Sequence, residues 1–311
     1  MAVSMKGKDL IDTHDLSVEE VRQILRTTEF FKLRAKSGAK DQPCSGKTLG
    51  MIFSKPSTRT RVSFEVAIYQ LGGYALYLGA SDLQLGRGET IADTGRVLSR
   101  YLDAIMIRTF DHQDVVALAE AADIPVINGL TDLLHPCQAL TDVFTIYEKF
   151  GRLEGLKLVY VGDANNVAHS LCSAGAKTGM HVTLCTPPGN LPDAAVFAAA
   201  QEDARETGAR IELVHDLAEA VRGADVIYTD TWTSMGQEAQ REKKLRELSG
   251  YQVNSAVMKA TGKPGTIFMH CLPAHRGEEV TDEVIDGPQS VVFDQAENRL
   301  HTQKAILALV M

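Results

Sequence analysis

No Cys-x-x-Cys pair occurs anywhere in the 311 residues, and the five cysteines, Cys44, Cys137, Cys172, Cys185 and Cys271, are odd in number and widely spaced. That fits a reducing cytosol with free thiols better than a disulfide framework. Basic residues are not in excess. The formal net charge is −8, which argues against a broad nucleic-acid surface or an anionic-membrane surface but leaves room for a small basic pocket. No apolar run is long enough to span a membrane, and "MAVSMKGKDLIDTHDL" holds no apolar core of signal-peptide length. The expectation is a soluble cytoplasmic protein. Repeats, low-complexity tracts and long charge blocks are also missing.

What is present is an alternation of helix and strand patterns. Hydrophobic residues make up 44% of the chain, enough for real cores. "SVEEVRQILRTTEFFKLRAK" opens with Ser17 and Glu20 in capping-box spacing before apolar residues at helical period. "TLGMIF", "YALYL", "DAIMI" and "IPVIN" read as short buried strands, with helices near 60–71, 90–102 and 111–121. The pattern restarts at "LKLVYVGDANNVAHSLCSAGAKTGMHVTLCTP" and continues through "RIELV", "ADVIYTD" and "GTIFMH". "HPCQALTDVFTIYEKFG" reads as a helical bridge, and the tail "QAENRLHTQKAILALVM" as an amphipathic helix packing back on the first half. These patterns predict an α/β protein of two domains, each a parallel sheet flanked by helices, joined by interdomain helices.

Two phosphate-loop look-alikes fail on spacing. "CSGKT" lacks the glycine five positions before Gly46, where Asp41 stands, and it precedes a strand instead of following one. "VGDANN" lacks the G-x-G-x-x-G glycines, and the following strand ends without an acidic residue for a ribose. No nucleotide cofactor is expected. The strand–turn–helix around Asn165 and Asn166 still places both at a strand's carboxyl end, where open α/β sheets bind ligands.

"SKPSTRTRVSFE" packs hydroxyls and guanidiniums into a strand-to-helix joint. A helix N-terminus exposes unpaired N–H groups and partial positive charge, a natural anion site. Ser57, Thr58 and Thr60 add hydroxyl donors, and Arg59 a planar fork suited to phosphate. "IMIRTF" ends a buried strand at Arg108. "DLLHPCQ" places His135 and Gln138 three apart across a helix start. Together Thr60, Arg108, His135 and Gln138 suit a carbonyl oxygen that gains negative charge.

These residues carry a resemblance. "STRTR", "MIRT" and "HPCQ" are similar to the phosphate and carbamoyl motifs of the aspartate/ornithine carbamoyltransferase family. "GDANN", "DTWTSMG", "HCLP" and "ENR" resemble its ornithine-specific branch, and the match runs in order along nearly the whole chain. The resemblance implies transfer of a carbamoyl group from carbamoyl phosphate to L-ornithine, giving L-citrulline and phosphate, a reaction of arginine metabolism that requires no cofactor or metal. It implies a carbamoyl phosphate-binding domain at 1–134 with a C-terminal helix at 295–311, and an ornithine-binding domain at 135–294. Ser57, Thr58, Arg59 and Thr60 would hold the phosphate. Arg108, His135 and Gln138 would hold the carbamoyl group with Arg299, Cys271 and Leu272. Asn166, Asp230, Ser234 and Met235 would hold ornithine. Gln84 would reach a neighbour's site in a homotrimer whose sites lie at subunit interfaces. Arg108, His135, Cys271 and Asp230 are the implied catalytic groups.

The nucleophile in such a transfer is a neutral amine, and a free alkylamine is almost wholly protonated at pH 7. Asp230 would orient it and Cys271 help take or share its proton. Two rival roles stand beside this one: Cys271 as a covalent nucleophile, and "HCLPAH" (His270, Cys271, His275) as a zinc site with few ligands. Another amine, such as putrescine, is the alternative acceptor, and a non-catalytic metabolite-binding regulator is the alternative class.

Overall fold

The computed structural model describes residues 3–84, 88–233 and 238–311. Two compact units divide the chain, Met1–Phe144 with Glu297–Met311, and Thr145–Ala296.

The first unit opens with α1 (Val18–Lys36), capped as its sequence predicts: the Ser17 hydroxyl accepts from the Glu20 N–H and the Glu20 carboxylate from the Ser17 N–H. There follow β1 (Thr48–Phe53), α2 (Thr58–Gln70), β2 (Tyr74–Gly79), α3 (Ile91–Leu98), β3 (Ala104–Arg108), α4 (His112–Ala121), β4 (Val126–Leu130) and the start of α5 (Pro136–Phe150). The four strands are parallel in the order β2-β1-β3-β4. Parallel neighbours need long crossovers, which the helices supply. A core of Ile52, Ile105, Ile107, Val115, Leu118 and Val126 fills one side, each aliphatic side chain stabilising by roughly 1.5–3 kcal/mol. Leu10 pairs with Ile127 and covers the outer edge of β4. The other edge strand, β2, leaves Tyr74, Leu76 and Tyr77 exposed.

The second unit takes in β5 (Lys157–Val161), α6 (Asn166–Thr178), β6 (His181–Cys185), α7 (Ala194–Thr207), β7 (Ile211–Val214), α8 (Leu217–Val221), β8 (Val226–Thr229), α9 (Arg241–Leu248), α10 (Ser255–Ala260), β9 (Ile267–His270), α11 (Asp282–Ile285) and the first residues of α12 (Val292–Val310). Its five parallel strands run β7-β6-β5-β8-β9. Val159, Val161, Ile227, Phe268 and Val280 are among its core.

The α/β architecture is that predicted. Some details differ. "YALYL" is not buried: an edge strand can be apolar without being covered, and periodicity alone does not separate the two. The chain passes between units inside α5, after Phe144, and inside α12, after Ala296, whereas the expected boundaries fell at 134/135 and 294/295. His135 and Gln138 therefore belong to the first unit. The short helices α8 to α11 carried too few residues for a period to show.

Candidate active site

In the first unit the carboxyl ends of the strands gather the polar groups. β1 runs out into Ser54–Ser57, and Ser57 caps α2, its hydroxyl accepting from the Thr60 N–H at 3.2 Å. Thr58 and Arg59 thus begin the helix, where free N–H groups and the dipole favour an anion. The second arginine of the motif has another role. Arg61 donates to Glu65 at 3.0 Å and stacks 3.9 Å from the Tyr77 ring.

Thr60 is buried and joins a chain of bonds. Arg299, on α12 and 3% exposed, donates through Nη2 to Thr60 Oγ1 at 3.1 Å and through Nη1 to Gln138 Oε1 at 2.6 Å. Gln138 Nε2 in turn donates to Asp142 Oδ1, one helical turn on, at 2.7 Å. Helix α5 supplies Gln138 and Asp142, and α2 and α12 supply Thr60 and Arg299. Arg108 is the last residue of β3 and is 6% exposed. His135 stands just before α5, buried, and its imidazole is held well below its usual pKa. Burial is the main cause, and Arg299, Arg108, Lys55 and Arg59 add to it. At neutral pH it is an uncharged donor among guanidiniums. Cys137 beside it is a plain core thiol, pushed up to about 12 by burial. Gln84 lies on an exposed bend after the short turn Ala80–Asp82.

In the second unit the organising group is Asp230, at the end of β8 and 7% exposed. Its Oδ2 accepts from Asn165 Nδ2 at 2.8 Å, and its Oδ1 accepts from the Cys271 thiol at 3.0 Å. Asn165 is itself fixed. Its Oδ1 caps α6, accepting from the N–H groups of Val167 and Ala168, and also takes the Tyr160 hydroxyl at 3.2 Å. Tyr160 keeps that proton, because burial and then the Asp230 charge push its pKa well up. Gly162, at φ +136°, makes the turn out of β5 in a region that side chains avoid. Asn166 is the first residue of α6. Ser234 and Met235 lie outside the described residues.

Cys271 follows β9, and Leu272 adopts φ 58°, the left-handed region. The Leu272 N–H donates to His270 Nδ1 at 2.8 Å, and His270 Nε2 lies 3.2 Å from Glu279 Oε1. A nitrogen that accepts an N–H carries no proton, so the His270 proton sits on Nε2 and points at the carboxylate. Ligand atoms of Asp230, His270 and Cys271 do lie within 4.8 Å of one another. Both imidazole nitrogens are nonetheless committed, so a metal there would have to break one of these bonds. His275 groups instead with Glu278 and Glu279. Of the three residues of the rival "HCLPAH" zinc set, His270 and Cys271 share one group and His275 belongs to the other.

Comparison with known proteins agrees with both halves. The model of the aspartate/ornithine carbamoyltransferase carbamoyl-P binding domain matches residues 8–148, and that of the Asp/Orn binding domain residues 154–310. The chain belongs to the aspartate/ornithine carbamoyltransferase family. Ornithine carbamoyltransferase of Thermococcus kodakarensis is 61% identical over the whole chain and 98% of its own length. The anabolic ornithine carbamoyltransferase of Pyrococcus furiosus is 60% identical over the same spans. A solved structure of ornithine carbamoyltransferase from Pyrococcus furiosus covers 100% of this chain and 99% of its own at a TM-score of 0.97. That from Campylobacter jejuni, also titled anabolic, is 36% identical with a TM-score of 0.90, over 96% of this chain and 97% of its own.

Several groups in this family member escape motif reading. Asn165 was expected at a strand end but not as the residue that orients Asp230. Asp142 lies four residues after Gln138, a spacing that places the two side chains on one helix face. Tyr160 carries no such signal, since a strand tyrosine reads as core.

Proposed function

We propose that the chain transfers the carbamoyl group of carbamoyl phosphate to the δ-amine of L-ornithine, giving L-citrulline and phosphate. The observation that carries this reading is the buried chain Thr60–Arg299–Gln138 in the first unit. It ties a hydroxyl, a guanidinium and an amide from three separate helices into one polar cluster, the set of groups that polarises a carbonyl.

Ser57, Thr58 and Arg59 hold the phosphate. Arg108, His135, Thr60, Gln138 and Arg299 draw charge onto the carbamoyl oxygen. Being neutral, His135 can donate a hydrogen bond without adding a fifth charge to the cluster of Arg299, Arg108, Lys55 and Arg59. The amine attacks the carbonyl carbon, a C–N bond forms, and the oxygen becomes an oxyanion that these donors stabilise. Collapse then breaks the bond to the phosphate oxygen. In water roughly one alkylamine in a few thousand is neutral at pH 7, so the acceptor must lose a proton. Asp230 orients the amine, with Asn166, Ser234 and Met235 on its amino-acid end. Cys271 passes that proton on to the Asp230 carboxylate to which its thiol donates, the attacking nitrogen gives its second proton to the departing phosphate, and Leu272 helps hold the carbamoyl group.

The working assembly is a homotrimer in which Gln84 completes a neighbour's site. The exposed apolar side chains of edge strand β2 support an oligomer. Five cysteines that form no disulfide among the described residues support a reducing, cytoplasmic setting, and among the described residues no helix is long and apolar enough to cross a membrane. Relatives titled anabolic support a place in arginine biosynthesis.

Parallel assays with ornithine and with putrescine test the reading. Citrulline should form, with ornithine preferred strongly. Comparable rates with putrescine would replace the acceptor, and no product from either would remove the activity.

A further inference from the structure

Lys55 belongs to the "SKPSTRTRVSFE" stretch but has no role in the reaction just described. It is only 6% exposed, unusual for a lysine. Its ammonium lies 2.6 Å from Asp132 Oδ1 and 4.3 Å from the centroid of the Phe110 ring. Burial pulls the Lys55 pKa down and Asp132 pushes it back up. The carboxylate partner is the accessible member of the pair, with a side chain 57% exposed.

The three residues stand on three adjacent strand ends. Lys55 follows β1, Phe110 follows β3 and Asp132 follows β4. Backbone bonds already stitch these ends: Ser54 N–H to Arg108 C=O, Thr109 N–H to Leu130 C=O, and Asp132 N–H to Phe110 C=O. Lys55 adds a side-chain tie that reaches from the end of β1, across β3, to the segment after β4. Arg108 lies two residues before Phe110. His135 lies three after Asp132. The tie is therefore anchored within three residues of each of the two groups assigned to polarise the carbonyl, and its ammonium is near enough to act on both electrostatically.

We propose that Lys55, clamped by Asp132 and Phe110, is a positioning residue that fixes Arg108 and His135 for carbamoyl transfer. The proposal rests on the carbamoyltransferase reading above. A direct phosphate contact is the competing role, and the geometry disfavours it: the ammonium is already engaged by a carboxylate on one side and by the negative face of a ring on another. An apolar side chain would fill the same volume, so packing alone does not call for a charge here.

Lys55→Met, Asp132→Asn and the double variant separate these roles. Wild-type enzyme must first form citrulline; its failure would remove the underlying reading and leave nothing to position. With active wild type, Lys55→Met should lower kcat by about tenfold or more, the scale of a small misplacement of reacting groups, while KM for ornithine stays within about threefold. Asp132→Asn should lower kcat in the same direction. The double variant should be no worse than the weaker single, because both changes break one clamp. Asp132 is exposed, so Asp132→Asn carries the test even if Lys55→Met does not fold. An unchanged kcat in Asp132→Asn overturns the proposal. So does tighter inhibition by inorganic phosphate in Asp132→Asn, which would show that the carboxylate competes for a lysine that binds the anion. Additive losses in the double variant overturn it as well.

Discussion

Arg299 and Gln138 stand 161 positions apart in sequence and 2.6 Å apart in space. The same guanidinium reaches Thr60, so one buried arginine spans two of the motifs. A lysine there keeps the charge but loses the fork that makes two bonds in fixed directions. Arg299→Lys should therefore lower kcat/KM for carbamoyl phosphate by about a hundredfold, the usual size of one charge-stabilising contact, with KM for ornithine little changed. Steady-state kinetics with each substrate varied checks this. Retention of activity within a few-fold would show that charge alone suffices.

The two arginines of "STRTR" should behave differently. Arg59→Ala removes a phosphate contact that tightens as the leaving group gains charge, and at least about a hundredfold loss of kcat/KM is expected. Arg61 is tied to Glu65 in a largely exposed pair and to the Tyr77 face. Exposed pairs of this kind contribute about 0.2–1 kcal/mol, so Arg61→Ala should stay within about fivefold of wild type. Equal losses from both substitutions would undo the division of labour.

That division was not legible in the sequence, which shows two arginines two residues apart and nothing of the ring beside one of them. The parallel sheets were legible, because buried strands read as short apolar runs between helical periods. The strand ends that carry Arg108 and Asp230 followed from the same pattern. The link from Arg299 to Thr60 did not, since it depends on where α12 returns in the first unit. Asn165 illustrates the remaining gap. Its capping role is local and can be read from its place before a helix, but its bond to Asp230 depends on β8 lying beside β5.

Asp230 and its two partners give graded outcomes. Asp230→Asn should raise KM for ornithine by about tenfold or more, the scale for losing a charged hydrogen bond, while carbamoyl phosphate binding is largely kept. Asn165→Ala should raise the same KM less, because it frees the carboxylate without removing it. Cys271→Ser keeps a donor for Asp230 Oδ1, so a proton-relay role predicts partial loss and an altered pH profile. Near-total loss, with a covalent adduct trapped on the wild-type thiol and detected by mass spectrometry, would instead establish Cys271 as a nucleophile.

The buried imidazole of His135 links this site to stability. Its pKa is lowered from 6.5 by burial first, then by Arg299, Arg108, Lys55 and Arg59. In the unfolded chain the ring protonates as pH falls through 6.5, while the native protein keeps it neutral until a lower pH. Between those values the unfolded state binds more protons, so stability rises with pH there. The contribution is complete above 6.5 and is lost as pH falls toward the native value. One proton changes stability by at most about 1.4 kcal/mol per pH unit. His112, His181 and His301 shift in the same direction, so the test is a difference between two proteins. His135→Gln should be less stable than wild type at pH 7.5, and that gap should narrow by about 1 kcal/mol at pH 5.5, as read from chemical denaturation at both values. Parallel pH profiles for the two proteins would mean that His135 titrates in the native site as it does in the unfolded chain, and the claim that the site holds the ring below its usual range would fall with it.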